Sequence, residues 1–369
     1  MRQGFPMTDG DTASPTLPRD PIGDVTVETS DATRLVERPL VSVLMITYNH
    51  AEYLAEAIDG IVSQQCDFPF ELVIGEDAST DETRKVASDY QRRYPEIIRV
   101  IHSAANVGMN ANGARVFSRA RGEYVAYCEG DDYWCSPHKL ARQVALIRDR
   151  ADVGIVHTDW VRARRAIDGW KVGWNKSVHS HVPRRLLEGE LFRTFHYPRI
   201  LRTCTILLRR STLEEFARSE LAGKPYKFGD AVLAAYTASR WKVAYLPEIT
   251  AVYRESPNSA LRSGKQARLD FLKSSLEFDT DARRFFADRA DYPQAYRWEV
   301  AVGLLLWSIS ARNAATARFA LADIRAHFSV TSFFAEGWRT LIMRRRTLRR
   351  QQRDSALAPG TVANGMHSG

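Results

Sequence analysis

An α/β fold, a mostly parallel sheet flanked by helices, is what these 369 residues predict, and three observations carry the prediction. Short apolar runs of the kind buried on both faces of a sheet alternate with segments of helical spacing between Val41 and Cys128. Each helical segment separates two such runs, the pattern of right-handed crossovers in a parallel sheet. Three runs end in polar residues, at Thr47-Tyr48-Asn49, Glu76-Asp77 and Glu129-Gly130-Asp131-Asp132. Open α/β sheets bind ligands beyond those carboxyl ends.

Taken in order, Val41–Ile46 is the first strand, and Asn49 with Glu52 has capping-box spacing for a helix start. Leu54, Ile58, Ile61 and Val62 recur at helical spacing up to Gln65. Glu71–Ile74 is the next strand, followed by a polar-capped helix to about Tyr94 that Pro95 breaks. Ile97–Ile101 forms a third strand, residues 112–120 a helix ended by Gly122, and Tyr124–Cys128 a fourth strand. The second half is less regular. Residues 160–200 read as loop-rich, short elements surround Thr203–Leu208, a helix follows Gly229-Asp230, and residues 265–326 are mainly helical. Residues 1–39 hold Pro, Gly, Asp, Thr and Ser without a hydrophobic period and are expected to form a disordered leader. The expected organisation is then a main domain over 40–262, a helical C-terminal extension over 263–350 and a disordered tail over 351–369.

Hydrophobic residues make up 44% and charged residues 26%, the balance of a soluble globular protein. The best apolar run, Val302–Ile309, is too short to span a bilayer. Cys66, Cys128, Cys135 and Cys204 form no CxxC pair, which argues against a zinc ribbon or disulfide framework and fits a reducing cytoplasm. The net charge of +8 invites a nucleic-acid reading, but seven arginines between Gly337 and Arg353, with no acid among them, account for nearly all of it. No stacking or groove-reading motif accompanies them, so no nucleic-acid partner is expected. Phe334, Trp338, Leu341 and Ile342 share a helical face just before this cluster, although Arg345 and Arg349 interrupt it. The segment therefore reads either as a peripheral contact with an anionic membrane or as a packed helix with a solvated basic end.

The strongest local signal is Glu129-Gly130-Asp131-Asp132. Carboxylates crowded at a strand end repel unless a cation sits among them. Mg²⁺ or Mn²⁺ held by one or two of them with diphosphate oxygens would satisfy that need. A solvated acidic turn, or caps for the helix after Pro137, is the bland alternative. Asp77 is placed to accept from a base N–H or to cap the helix that follows it. Tyr48 is placed to contact a base or simply to pack. Asp230 opens a helix, as a cap or as a general base for an attacking hydroxyl. The chain has neither GxGxxG nor GxxxxGK[ST], which argues against dinucleotide dehydrogenases and P-loop NTPases and favours metal-bridged phosphate.

Taken together, Val41–Asn49, Glu71–Asp81, Gly122–Trp134 with Pro137, Lys139-Leu140 and Gln143, Gly229-Asp230, Tyr245–Glu248 and Val252–Arg254 resemble the family 2 glycosyltransferases over about residues 40–256. The resemblance implies the GT-A fold and an inverting transfer from a nucleotide-sugar donor, most often a UDP-sugar, to a hydroxyl of a glycan or lipid-linked acceptor. By position it implies that Thr47, Tyr48, Asn49 and Asp77 line the nucleotide pocket, with Asp77 on the base. It further implies that Asp132 ligates the metal and Asp131 contacts the sugar-nucleotide or shares the metal. Asp230 would be the catalytic base, and Arg254 would lie near the diphosphate. The expected setting is polysaccharide or glycoconjugate assembly in the cytoplasm, at the inner face of the membrane if the basic segment docks there.

Two rivals remain. A sugar-1-phosphate nucleotidyltransferase would need a glycine-rich basic loop where this chain has Thr47-Tyr48-Asn49. A catalytically impaired GT-A protein that binds nucleotide or a partner has its foothold at Ser256, where close relatives often carry a histidine.

Overall fold

The computed structural model describes residues 26–175, 177–196, 201–255, 264–327 and 329–330. They divide into two compact units, one ending at Ser256 and a second that takes up Tyr226–Phe228 and the chain from Pro257. The first unit contains, in order, β1 (Thr26–Thr29), β2 (Val41–Thr47), α1 (Leu54–Val62), β3 (Phe70–Glu76), α2 (Thr83–Arg93), β4 (Ile98–Ser103), α3 (Met109–Ser118) and β5 (Tyr124–Tyr127). It continues with β6 (Tyr133–Trp134), α4 (Lys139–Ile147), β7 (Val153–Ala166), β8 (Gly169–Val172), β9 (Leu207–Arg209), α5 (Arg210–Ala217), α6 (Asp230–Ala238) and β10 (Lys242–Glu255).

One sheet of ten strands runs β1-β4-β3-β2-β5-β9-β7-β10-β6, with β8 hairpinned onto β7. The block β4-β3-β2-β5 is parallel throughout, as its uninterrupted apolar strands require. β7 and β10 form a second parallel pair, while β9 joins the two blocks antiparallel to both neighbours. The sheet is thus mixed, with its parallel character concentrated where the crossover helices lie. Ile58 and Ile61 of α1, Val43 and Met45 of β2 and Ile74 of β3 are fully buried in one core cluster. Each such side chain contributes roughly 1.5–3 kcal/mol. Pro247 sits inside β10, and the register against β7 slips between Leu246 and Ile249, as a residue without an N–H demands.

A polar network closes the opposite, amino-terminal end of the parallel block. Glu71 is wholly buried and accepts from the Ser42 hydroxyl at 2.6 Å, Arg99 Nη1 at 3.1 Å and Arg121 Nε at 2.8 Å. Arg99 reaches on to Glu28 of β1 at 2.8 Å. This corrects the leader expectation: residues 26–29 pair antiparallel with β4 because Glu28 answers Arg99 and Arg119. Residues 1–25 lie outside the described residues. Residues 160–172, expected as loop, belong to the β7–β8 hairpin, whose Arg-rich strand carries too little apolar pattern to be read.

The second unit contains α7 (Lys265–Phe285), α8 (Ala295–Ser310) and α9 (Ala314–Ala326), in line with the helical extension expected there. Its buried Asp279 accepts from Arg283, Arg297 and Tyr292. Tyr226 joins it by donating to Asp281 at 2.8 Å, and Phe228 packs against Phe271 and Phe278. The basic segment 339–353, its apolar neighbours Phe334, Trp338, Leu341 and Ile342, and Ser256 lie outside the described residues. Among the described residues no helix is long and apolar enough to cross a membrane.

Candidate active site

The carboxyl ends of β2, β3 and β5 converge, because their parallel register brings Thr47 beside Glu76 and lets the backbone of Gly130 donate to Ile46. Thr47 is 2% exposed and points its hydroxyl at His50 Nδ1, 3.2 Å away. A Cβ on Gly130 would stand 2.5 Å from that hydroxyl, so only glycine lets the acidic turn dock against β2. Tyr48 lies open to solvent. Asn49 adopts φ 54°, and its Oδ1 accepts from the backbone and hydroxyl of Thr80 while Ser79 accepts from its own N–H. The capping box expected from Asn49 and Glu52 does not form. Asn49 instead clasps the β2–α1 loop to the β3–α2 loop, where a left-handed Asn is tolerated.

Asp77 is nearly buried, and its two carboxylate oxygens accept the N–H groups of Val107 and Gly108, both at 2.9 Å. It caps no helix. In the turn before α2, Glu76 accepts the N–H of Ser79 and Asp81 that of Thr83. Asp77 therefore shapes the 105–108 loop. A cleft of about 570 Å³ next to the β3–α2 loop is lined by Ala78, Ser79, Asp81, Arg84, Lys85 and Ala104 among others and takes no side chain from the acidic turn.

The two aspartates of that turn part company. Asp132 is 2% exposed and its Oδ1 accepts the backbone N–H of Arg254 at 2.9 Å. Burial, then Asp131 and Glu129, hold its carboxyl well above the usual range. Asp131 is half-buried and lies close enough to His50 to oppose the fall that burial causes in that imidazole. Arg254 is likewise buried. Its guanidinium donates to the Asp131 carbonyl at 2.9 Å, pairs with Glu56 of α1 and lies 4.6 Å from the Tyr133 ring centroid. In this arrangement it braces the acidic turn.

Glu129 completes the acidic set. Burial and the neighbouring Asp131 push it up to about 7, and its Oε2 is buried without a hydrogen-bond partner. Asp230 also raises it, which sets the exposed first residue of α6 on the same side. Asp230 Oδ1 accepts the N–H of Ala231 at 2.8 Å. No group of three or more metal-ligating side chains forms among the described residues. A cation here would need substrate oxygens beside Asp131 and the orphaned Glu129 oxygen, and the residues fit such a two-carboxylate arrangement. His50, Glu56 and Thr203, whose side chain lowers the Glu129 carboxyl, border the turn without any motif spacing having flagged them, whereas Glu129 was part of the acidic signal itself.

Residues 42–216 match the model of glycosyl transferase family 2. The match starts inside β2 and ends in α5, so it covers the converging strand ends. A protein of Mycobacterium tuberculosis, itself uncharacterised, is 49% identical over 107 residues, 29% of this chain and 31% of the relative. An uncharacterised glycosyltransferase of Nostoc sp. is 38% identical over 117 residues, 32% of this chain and 35% of the relative. The chain thus spans about a third of the length of these relatives. Among solved structures, a mannosyltransferase of Pyrobaculum calidifontis in complex with GDP-mannose and Mn²⁺ superposes with a TM-score of 0.50 at 20% identity, covering 83% of this chain and 80% of that one. The fold is GT-A.

Proposed function

We propose that this chain is an inverting, metal-dependent glycosyltransferase. It moves a sugar from a nucleotide-sugar donor, a UDP-sugar, to a hydroxyl of a glycan or lipid-linked acceptor in cytoplasmic polysaccharide or glycoconjugate assembly. One observation carries the reading. In the segment that matches family 2, an open aromatic, a glycine-seated acidic turn and a carboxylate with an orphaned oxygen meet at the ligand-binding ends of a GT-A sheet. The Pyrobaculum neighbour's GDP-mannose and Mn²⁺ support the donor class and the cation by analogy.

Tyr48 receives the base, and Asp77 orders the 105–108 loop, a reassignment that follows from Asp77's two loop amides. Asp131 takes over the metal role first expected of Asp132, because Asp132 is turned inward onto Arg254. When bound, Mn²⁺ or Mg²⁺ on Asp131 and Glu129 would offset the charge that develops on the departing nucleoside diphosphate. Asp230 accepts the proton of the acceptor hydroxyl through Oδ2, its Oδ1 being fixed by Ala231. The deprotonated oxygen attacks the anomeric carbon, the bond to phosphate breaks on the opposite face, and a single displacement inverts the centre.

Calorimetric titration with UDP, GDP and dTDP, each with and without Mn²⁺, tests this. Metal-dependent binding of one nucleotide is the expected result. Binding of none of the three would overturn the transferase reading in favour of a non-catalytic GT-A protein.

A further inference from the structure

Beyond the acidic turn, the exposed ends of β7 and β10 carry the opposite charge. Arg162 and Arg164 of β7 both pair with Glu255 of β10, at 3.1 and 2.9 Å. Arg202, in the segment before β9, lays its guanidinium 4.3 Å from the ring centroid of Tyr253 and 4.9 Å from that of Trp160. The Trp160 ring is also 5.4 Å from the Arg162 guanidinium. Arg202 has no carboxylate partner among the described residues, and its Nε is buried without a hydrogen-bond partner. Burial lowers the Arg162 guanidinium from its ordinary value, Glu255 opposes this, and Arg164 and Arg202 push it lower still. Two guanidinium groups thus share one carboxylate while a third, Arg202, stands nearby on two aromatic faces with a buried N–H left over.

A protein that needed only cation–π packing here would not require several arginines in mutual repulsion. Planar guanidinium forks suit tetrahedral oxyanions, and aromatic faces hold them in place while leaving their N–H edges free. Arg202 directly precedes Thr203, whose side chain is near enough to Glu129 to lower its carboxyl, so the cationic group adjoins the acidic turn without being part of it.

We propose that Arg162 and Arg202, on the faces of Trp160 and Tyr253, form an oxyanion subsite that takes a phosphate-type group carried by the acceptor. The assignment to the acceptor rests on the transferase reading above; the anion site itself does not. Glu255 is the counter-charge that a bound oxyanion displaces from Arg162. The donor's diphosphate belongs to the acidic turn and its metal, so the two phosphate-binding places differ in whether they need a cation.

The test is calorimetric titration of the full chain with inorganic pyrophosphate in EDTA, where the acidic turn has no metal to offer. Arg202→Gln and Arg162→Gln should each weaken binding on the order of tenfold, the usual worth of a charge-assisted hydrogen bond. Glu255→Gln should strengthen it several-fold, a gain that partial misfolding cannot mimic. Titration with UDP and Mn²⁺ should be unchanged in all three variants. Wild type that fails to bind pyrophosphate, or binds it as the arginine variants do, overturns the subsite. Loss of UDP–Mn²⁺ binding along with pyrophosphate binding overturns the acceptor assignment, because the donor's diphosphate would then sit on these arginines. Failure of the wild type to bind UDP with Mn²⁺ speaks against the transferase reading alone, since the pyrophosphate arm is read without metal.

Discussion

The backbone N–H of Arg254 donates to Asp132 Oδ1 across 2.9 Å, fastening the last residue of the acidic turn to β10. The guanidinium of the same arginine holds the Asp131 carbonyl. Two adjacent aspartates are thereby sorted into a buried anchor, Asp132, and a half-buried neighbour, Asp131, and that difference is the ground on which the metal role is proposed for Asp131.

That sorting has a pH signature. Asp132's carboxyl is raised in the fold above its unfolded value of about 3.9, so the folded state holds the proton more tightly. Its contribution is therefore complete below about pH 4 and is lost as pH rises. Asp132→Asn keeps an acceptor for Arg254 and cannot ionise. In EDTA it should melt higher than wild type near neutral pH, with the gap closing toward pH 4. Asp131→Asn should leave the melting temperature alone and remove Mn²⁺-dependent nucleotide binding. Equal effects of the two substitutions on melting and on binding would refute the division of roles.

Asp230 stands exposed with one oxygen pinned to its own helix. A carboxamide preserves that bond but cannot take a proton. Asp230→Asn should bind nucleotide with Mn²⁺ as wild type does, and its transfer rate should fall by about 10²- to 10⁴-fold. The check is a single-turnover assay beside the binding titration. Transfer within a few-fold of wild type would remove Asp230 from the chemistry.

Glu71 supplies a stability prediction far from any ligand. Its side chain is fully buried and is met by Ser42, Arg99 and Arg121, together with the backbone N–H of Arg121. Removing one partner of a buried pair leaves the others uncompensated, at a cost of about 3–5 kcal/mol. Glu71→Ala should lose that much in urea denaturation of the full chain, and Glu71→Gln less, because an acceptor for Ser42 and Arg121 survives. A Glu71→Ala variant as stable as wild type would mean that water enters and satisfies the arginines.

The parallel block was legible because its strands are continuous apolar runs whose ends change abruptly to polar residues, as at Thr47 and Glu76. β6 and β9 were not, since two or three residues carry no period. β7 was hidden in part because Arg162, Arg164 and Arg165 look like loop, yet they lie on a strand held by Glu255 and Glu52. At the site, the sequence located the acidic turn but not its orientation. Which of two neighbouring acids faces inward depends on Arg254, 122 residues away from Asp132, and adjacency in sequence carries no record of that bond. Asn49 failed as a cap for a similar reason: its partner, Thr80, comes from another loop.

Lys139 offers the last prediction. The side chain is wholly buried at the start of α4, donates to Gln143 Oε1 and holds its ammonium 4.3 Å from the Trp134 ring centroid. Burial pushes its pKa down to about 7, against the opposing pull of Cys128 and Cys204. The unfolded chain holds that proton up to about pH 10.4. Between about pH 7 and 10 the unfolded state therefore binds more protons than the fold, and stability rises with pH through that window. Below pH 7 both states are charged, and the fold bears the full cost of an ammonium in the core. Lys139→Met keeps the length and the ring contact while removing the charge. Its melting temperature should exceed that of wild type near pH 6, and the difference should shrink steadily toward pH 10. Thermal melts of both proteins across that range decide it. A gap that stays constant, or that widens on the alkaline side, would mean that the ammonium is stabilised by Trp134 and Gln143 well enough to remain charged in the fold.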